Sequence, residues 1–313
     1  MWGFIVRQAA LSAVTLLGVV TGVFFLIRLV PGDPAIAMLG PYATAEAIMD
    51  LRRSLGLDEP IWTQFRVYMF KLAAGDLGQS LSNRSPVAVE IAKVLPHTVV
   101  LALAGTALSI VTGIPAGVVS AVKRNSWLDH VARLLALAGV SIPIFFTGIL
   151  LLLFFGLRLR WFPMLGAGNP EDWLSQLHHL VLPAVALGVG MAGTVMRMTR
   201  SSVLEILGQD YVRTARSKGL AEHVVIYKHA LRNALVPVIT VVGINMGQLM
   251  GGAVLTESVF GRPGLGKLML DAILARDYPL VQGCILIFAA FVIIVHFLVD
   301  ITYSLVDPRI RWQ

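Results

Sequence analysis

The chain has 313 residues, 57% of them hydrophobic and only 14% charged, with a mean hydropathy of +0.78. A soluble domain carries roughly 25% charged residues, so a soluble globular fold is excluded and a polytopic membrane protein is implied. The net charge of +7 and pI near 9.9 do not point to nucleic acid, because no basic module stands outside the apolar segments and Lys and Arg ordinarily gather in the cytoplasmic loops of membrane chains. The single cysteine, Cys284, lies inside an apolar run; it excludes an intramolecular disulfide and a Cys-based metal site and reads as a small buried hydrophobe.

A helix needs about 20 apolar residues to cross the hydrocarbon. Six stretches reach that length, at 9–30, 97–121, 131–156, 180–199, 234–257 and 281–305. Their interiors are rich in Leu, Val, Ile, Ala and Gly without polar alternation, so an all-α membrane protein with six transmembrane helices is expected and a β-barrel is not. Arg7 ahead of the first run and Ala35-Ile36-Ala37 after it mimic a signal peptide. The run exceeds the 7–15 residues of a signal core, however, and an uncleaved first helix is the expectation.

Residues 31–96 form a loop with helices of its own. Thr44 caps a helix that Gly56 ends, with Ile48, Leu51 and Leu55 on one face. Pro60 opens a second that ends at Gly75, with Trp62, Phe65, Met69 and Leu72 in one stripe. Ser85-Pro86 starts a third that stops before Pro96. These stripes fit either a surface-lying cap or one packed against the bundle. In the second span Gly105, Ser109, Gly113 and Gly117 recur every four residues, and Gly243, Gly247 and Gly251 do so in the fifth. Such faces permit close backbone approach by a helix of this chain or of another. Pro115, Pro143 and Pro183 are expected to kink their spans.

Orientation follows from the short-loop cations. One set of segments holds Arg7; Lys123, Arg124 and Arg133; Arg197, Arg200, Arg213, Arg216, Lys218, Lys228 and Arg232; and Arg309 and Arg311. The opposite set holds only Arg158, Arg160, Arg262, Lys267 and Arg276. Both termini are therefore expected in the cytoplasm. The organisation is a tail and first span (1–30), an extracytoplasmic loop (31–96) and a core of spans two to six (97–313) carrying a cytoplasmic loop at 200–233.

Few motifs carry chemistry. Gly261-Arg262-Pro263-Gly264-Leu265-Gly266-Lys267 fits most of a phosphate loop, but Leu268 stands where Ser or Thr should hold magnesium and no strand precedes it, so it reads as a turn. No cofactor is expected on this chain. Asn245 and Gln248 lie mid-way in the fifth span, and either line a polar pathway or hold helices together. His296 and Asp300 share a face of the sixth, as a structural pair or a proton relay. His178-His179 beside Trp173 reads as an interfacial anchor, since no carboxylate or Cys completes a metal set. No convergent catalytic constellation exists, which argues against a membrane-embedded enzyme.

The loop at Asp210–Asn233 is the exception to the chain's apolar character: 7 of its 24 residues are Arg, Lys, Asp or Glu. Ser202 and Glu205 have capping-box spacing, with Gly208 as a stop. Asp210 is the expected cap of a helix over Tyr211–Lys218, with Gly219 as its left-handed stop. A longer helix with Tyr227, His229 and Arg232 then leads back to the membrane. A short helix held between two arms suits docking in a groove on another protein; a basic loop on anionic lipid would need no such defined turns.

This island resembles the EAA loop of ABC importer permeases. Gly219 takes the place of that family's Gly, Arg213-Thr214-Ala215 stands for Glu-Ala-Ala, His229 replaces the Ile, Leu231 matches the Leu and Arg232 replaces the Pro. "DYVRTARSKGL" and "HALRNALVPVIT" resemble the version found in the dipeptide/oligopeptide/nickel subfamily. "PGDP" (31–34), "GLDEP" (56–60), "GDLGQS" (75–80), "GRPGLG" (261–266) and "DPRIR" (307–311) extend the resemblance over the whole chain, specifically to the first of two permease subunits. It implies a type I importer fold in the bacterial inner membrane, alternating access for peptides or a related solute, a second homologous permease, two ATP-binding subunits that hold ATP and Mg, and an extracytoplasmic binding protein. Membrane lipid is the remaining partner. The coupling contact is implied at Asp210, Tyr211, Arg213, Thr214, Ala215, Arg216, Lys218, Gly219 and Leu220, with Arg213 reversing the charge of the family's Glu. The rival reading is an ion-coupled secondary transporter using His296 and Asp300.

Overall fold

A computed structural model describes residues 2–30, 32–40 and 42–306. The side chain of Asp300 and the segment 307–313, with Arg309, Arg311 and all of "DPRIR", lie outside the described residues. The elements are α1 (Trp2–Leu29), α2 (Pro34–Leu39), α3 (Ala45–Ser54), α4 (Ile61–Ala73), α5 (Val87–Val122), α6 (Trp127–Ser141), α7 (Ile144–Leu151, continuing as a π-turn over Leu152–Arg158), α8 (Trp173–Leu207), α9 (Asp210–Ser217), α10 (Glu222–Val224, continuing as a π-turn over Val225–Leu231), α11 (Arg232–Val259), α12 (Leu265–Leu274) and α13 (Tyr278–Val306). The fold is all-α, as expected. Among the described residues five helices are long and apolar enough to cross a membrane, and α6 with α7 makes a sixth span if that pair, bent by 104°, is one crossing. Pro143 separates the bent pair, whereas Pro115 and Pro183 sit inside continuous helices. Many exposed side chains on the spans are large and apolar, among them Val14, Leu26, Leu134 and Leu135, as a surface facing lipid or a membrane partner requires.

The chain divides into two compact units, Met1–Pro96 with Gly264–Ile293 and His97–Pro263 with Ile294–Gln313. In the first, the loop helices start and stop where the residues predict. Thr44 Oγ1 accepts the Ala47 N–H at 3.3 Å, and Gly56 (φ +66°) and Gly75 (φ +79°) follow α3 and α4. The α4 stripe packs on α1, with Phe24 stacked on Tyr68 at 5.4 Å and Phe25 against Trp62 and Phe65 at 5.4 Å each. The helix expected to stop before Pro96 instead runs straight through it into α5. An interior proline costs about 3 kcal/mol, and here Val87, Ile91, Val94 and Leu95 bury against Leu280, Val281 and Leu268, which offsets that loss. A helix between the last two spans, α12, was not foreseen. After it, the fully buried Asp277 accepts from Ser80 Oγ at 2.5 Å, from the Ser82 N–H at 3.1 Å and from the Leu280 N–H at 3.2 Å, and so joins the 80–82 turn to the start of α13.

In the second unit α8 is the central pillar, packed against α6 and α11. Leu187, Met191 and Val195 on α8 meet Leu101, Val238 and Leu249 in one core. The small-residue stripe of α5 finds its partner within the chain. A Cβ on Gly113 would stand 2.9 Å from both Ala192 O and Val195 Cβ, and Gly105 and Gly117 likewise face α8. In the fifth span the stripe divides, with Gly243 facing Val299 and Gly251 facing open space.

A buried carboxylate fixes one end of this unit. Asp129 is fully buried; Arg200 on α8 donates to it twice, at 2.8 and 2.9 Å, and Ser120 Oγ donates at 2.5 Å. The Asn125 N–H adds a fourth bond at 3.0 Å, so the carboxylate ties the α5–α6 turn to the lower part of α8.

Two stability outcomes follow for purified protein followed by thermal unfolding. Gly113→Ala should cost about 1–3 kcal/mol by overpacking, whereas Gly251→Ala should be neutral or gain up to about 1 kcal/mol from helix propensity. Arg200→Met, which strands a buried carboxylate, should cost about 3–5 kcal/mol. Arg133→Met, which removes a half-exposed contact at 3.4 Å, should cost less than about 1 kcal/mol.

Candidate functional site

The island is built from two arms and a short crosspiece, all in the second unit. A helix rises about 1.5 Å per residue, so the 35 residues of α8 extend well beyond a hydrocarbon layer about 30 Å thick. The helix ends at Leu207, Gly208 follows it, and only Gly208 and Gln209 separate it from α9. Gly208 is the stop, as expected, but Ser202 is not a start: it is buried inside the helix, and Val203 beside it is in the core with Val118 and Ile226, packing that carries the helix through the expected cap. Asp210 is likewise not the cap of α9. Gln209 holds that position in extended conformation, and Asp210 opens the helix, where its charge still favours the N-terminal dipole. Lys218 ends the helix and Gly219 takes φ +75°, as the sequence predicts.

One face of α9 is an anchor. Val212 and Ala215 are buried with Val225, against Ile206 and Leu207. Tyr211 Oη donates to His229 O at 3.3 Å and accepts from Asn233 Nδ2 at 2.8 Å. Arg216 donates to Glu222 at 2.6 and 3.1 Å, closing the Lys218–Ala221 turn and holding its guanidinium above the usual pKa. The other face is open. Asp210, Arg213, Thr214, Ser217, Lys218, Gly219 and Leu220 are all exposed, and the Arg213 side chain is 76% accessible. The structure thus brings the nine predicted coupling residues together and sorts them: Ala215 faces inward, Tyr211 and Arg216 brace the element, and the rest are exposed, polar or charged but for Gly219 and Leu220.

The remaining candidates are dispersed. Asn245 is half-buried with an unpartnered Nδ2, whereas Gln248 is exposed. His296 is exposed, and its expected partner Asp300 has its side chain outside the described residues. His178 bonds Trp161 O and His179 bonds Ser175 O, each at 2.7 Å; no metal-ligating group of three His, Cys, Asp or Glu occurs among the described residues. Sequence reasoning missed a polar cluster at the end of α11. Glu257 is fully buried and accepts from Thr98 Oγ1 at 2.6 Å. Arg262, read as a loop cation, is 3% exposed, with burial lowering its pKa against the attraction of Glu257. The only signal was an acidic residue at the border of an apolar run.

Two family models match the chain. "Binding-protein-dependent transport system inner membrane component" matches residues 113–312, and "Binding-prot-dependent transport system membrane comp, N-term" matches residues 1–102. The chain belongs to the binding-protein-dependent transport system inner membrane component family. This permease is 42% identical to the dipeptide transport system permease protein DppB of Alkalihalophilus pseudofirmus and 43% identical to the di/tripeptide transport system permease protein DppB of Pseudomonas aeruginosa, over all of both chains in each case. It is 39% identical, again over full length, to the glutathione transport system permease protein GsiC of Escherichia coli K12. The methionine ABC transporter MetNI in an inward-facing form shares its fold, with a TM-score of 0.56 at 20% identity, over 70% of this chain and 96% of the other. The permease is therefore a multi-pass inner-membrane subunit of an ABC importer, and the ion-coupled carrier gives way to that assignment.

The anchor makes a direct prediction. Val212→Asp should detach α9, so that trypsin cuts detergent-solubilised permease at Arg213 or Arg216 several-fold faster. Asp210→Asn, on the open face, should leave the cleavage rate unchanged.

Proposed function

We propose that this permease carries di- or oligopeptides, or a related small solute, inward by alternating access, driven through α9 by partner ATPases. The observation that carries the reading is the crosspiece itself: a helix of 8 residues, anchored on one face, open on the other and continuous within a few residues with two long helices. ATP-driven closure of partner subunits can move a bundle only through a stiff element that bears on both. In this reading the island and both termini are cytoplasmic, following the distribution of Lys and Arg, and 31–96 is extracytoplasmic.

The partners are a second homologous permease, two ATP-binding subunits that hold ATP and Mg, and an extracytoplasmic binding protein. The chain itself hydrolyses nothing. Its near-match to a phosphate loop is a turn with Gly261 at φ +54° and Arg262 turned into the protein. Arg213, where the family's pattern has Glu, calls for an acidic residue on the facing ATPase groove. Asn245 and Gln248 are assigned to the solute pathway, Gln248 toward the second permease. The peptide class is supported by the printed names of the full-length relatives.

Gly219→Val tests the coupling role. A β-branched residue at this φ costs roughly 1–2 kcal/mol locally and resets the exit from α9. Uptake of radiolabelled dipeptide by cells should fall at least several-fold while membrane levels of the protein hold. Full uptake with the variant in place would remove α9 from the drive train.

A further inference from the structure

The first unit contains a cleft of about 780 Å³ between the 34–81 loop helices and the start of α13. That volume lies in the range of small-molecule sites, about 300–1,000 Å³. Its lining includes three cations, Arg28, Lys71 and Arg84, and two carboxylates, Glu59 and Asp76.

Arg28 is half-buried on this wall. Its Nε donates to Gln64 Oε1 and its Nη1 to Phe24 O, each at 3.0 Å, and its guanidinium lies 3.5 Å from the Phe24 ring centre and 5.7 Å from that of Tyr278. No acidic side chain is among these partners. Gln64 is itself fixed, with Nε2 donating to Leu57 O at 3.2 Å and Glu59 O at 2.9 Å, so its oxygen is committed to Arg28. One turn beyond Tyr278, Gln282 lines the same cleft; it is 5% exposed and its buried Nε2 has no hydrogen-bond partner. A preorganised guanidinium without a carboxylate and a buried amide donor without an acceptor lack the same thing. Leaving the Gln282 donor buried and unpaired is unfavourable, and an anionic acceptor satisfies it while pairing with the charge of Arg28, most strongly as a carboxylate.

We infer that this cleft is a binding site for the free carboxylate of a short peptide, with Arg28 and Gln282 as its donors. Asp76 and Glu59 on the same lining suit the ammonium end, which favours a zwitterion over a simple anion. The inference rests on the peptide reading above and adds a holding site on the permease itself, distinct from α9 and from Asn245 and Gln248.

The test uses the assembled transporter, without its binding protein, in lipid nanodiscs. Titration calorimetry with L-alanyl-L-phenylalanine should show saturable binding. Replacing the dipeptide's carboxylate by an amide should weaken it at least about tenfold, the scale of one charge-assisted hydrogen bond. Arg28→Gln and Gln282→Leu should do the same, and Arg28→Lys should retain part of the affinity. If Arg28→Gln does not fold, Gln282→Leu and the amide on unaltered protein decide. Equal affinity for acid and amide overturns the site. So does an absence of dipeptide binding while Arg28→Gln weakens docking of the binding protein, because the carboxylate then belongs to that protein. ATP-driven uptake of the same dipeptide by the complete system separates the two readings. Uptake without cleft binding overturns this inference alone, and neither uptake nor binding of any peptide overturns both.

Discussion

Hydrocarbon offers backbone groups no hydrogen-bonding partner, and the architecture answers to that constraint. Every crossing must be helical, and a helix that satisfies its own backbone can continue beyond the membrane at little further cost. Here α8 continues to Leu207, and the return helix begins at Glu222, well before its apolar stretch. Only two residues join α8 to α9. The crosspiece is stiff because its neighbours are long, and Val212, Ala215 and Val225 supply the apolar contact that keeps it from swinging.

The few buried carboxylates serve the same end. Asp129 is matched by Arg200 and a serine, Asp277 by a serine and two backbone amides, and Glu257 by Thr98. Each sits near a helix end; Asp129 and Asp277 join a turn to a span, and Glu257 joins α11 to α5. Isolated buried charges would be costly, but paired and hydrogen-bonded they set register where apolar side chains alone would let helices slide.

Much of this was legible in the residues. Apolar runs located the spans, Thr44, Gly56, Gly75 and Gly219 marked helix ends, and the charged island stood out from its surroundings. Two of the misses share one cause. Ser202 and Pro96 carry local signals for capping or breaking, and each is overridden by packing against residues distant in sequence; at Asp210, which is exposed, the cap falls one residue earlier, on Gln209. Pro143 shows the converse, since there the break is real and the span bends by 104°. Of the site, the short α9 with its exposed charged face was readable as a pattern, whereas the cleft around Arg28 was not. Its walls come from residues near positions 28, 64 and 282, which no linear spacing connects.

The wide turn at Val225–Leu231 has a consequence for how this loop can change over evolutionary time. A π-turn accommodates an extra residue within a helix, and each residue of an ordinary helix advances about 100° around its axis. Loss of one residue here would let the segment relax to regular α geometry, and because the wide turn already absorbs that residue's rotation, everything downstream would keep its facing relative to α9. The same loss from the regular helix beyond Arg232 would instead swing the face of α11 bearing Asn245 and Gln248 by about 100°. The wide turn thus acts as slack in the helical register, a stretch where the chain can change length by one residue without misaligning the crosspiece and the span that follows it.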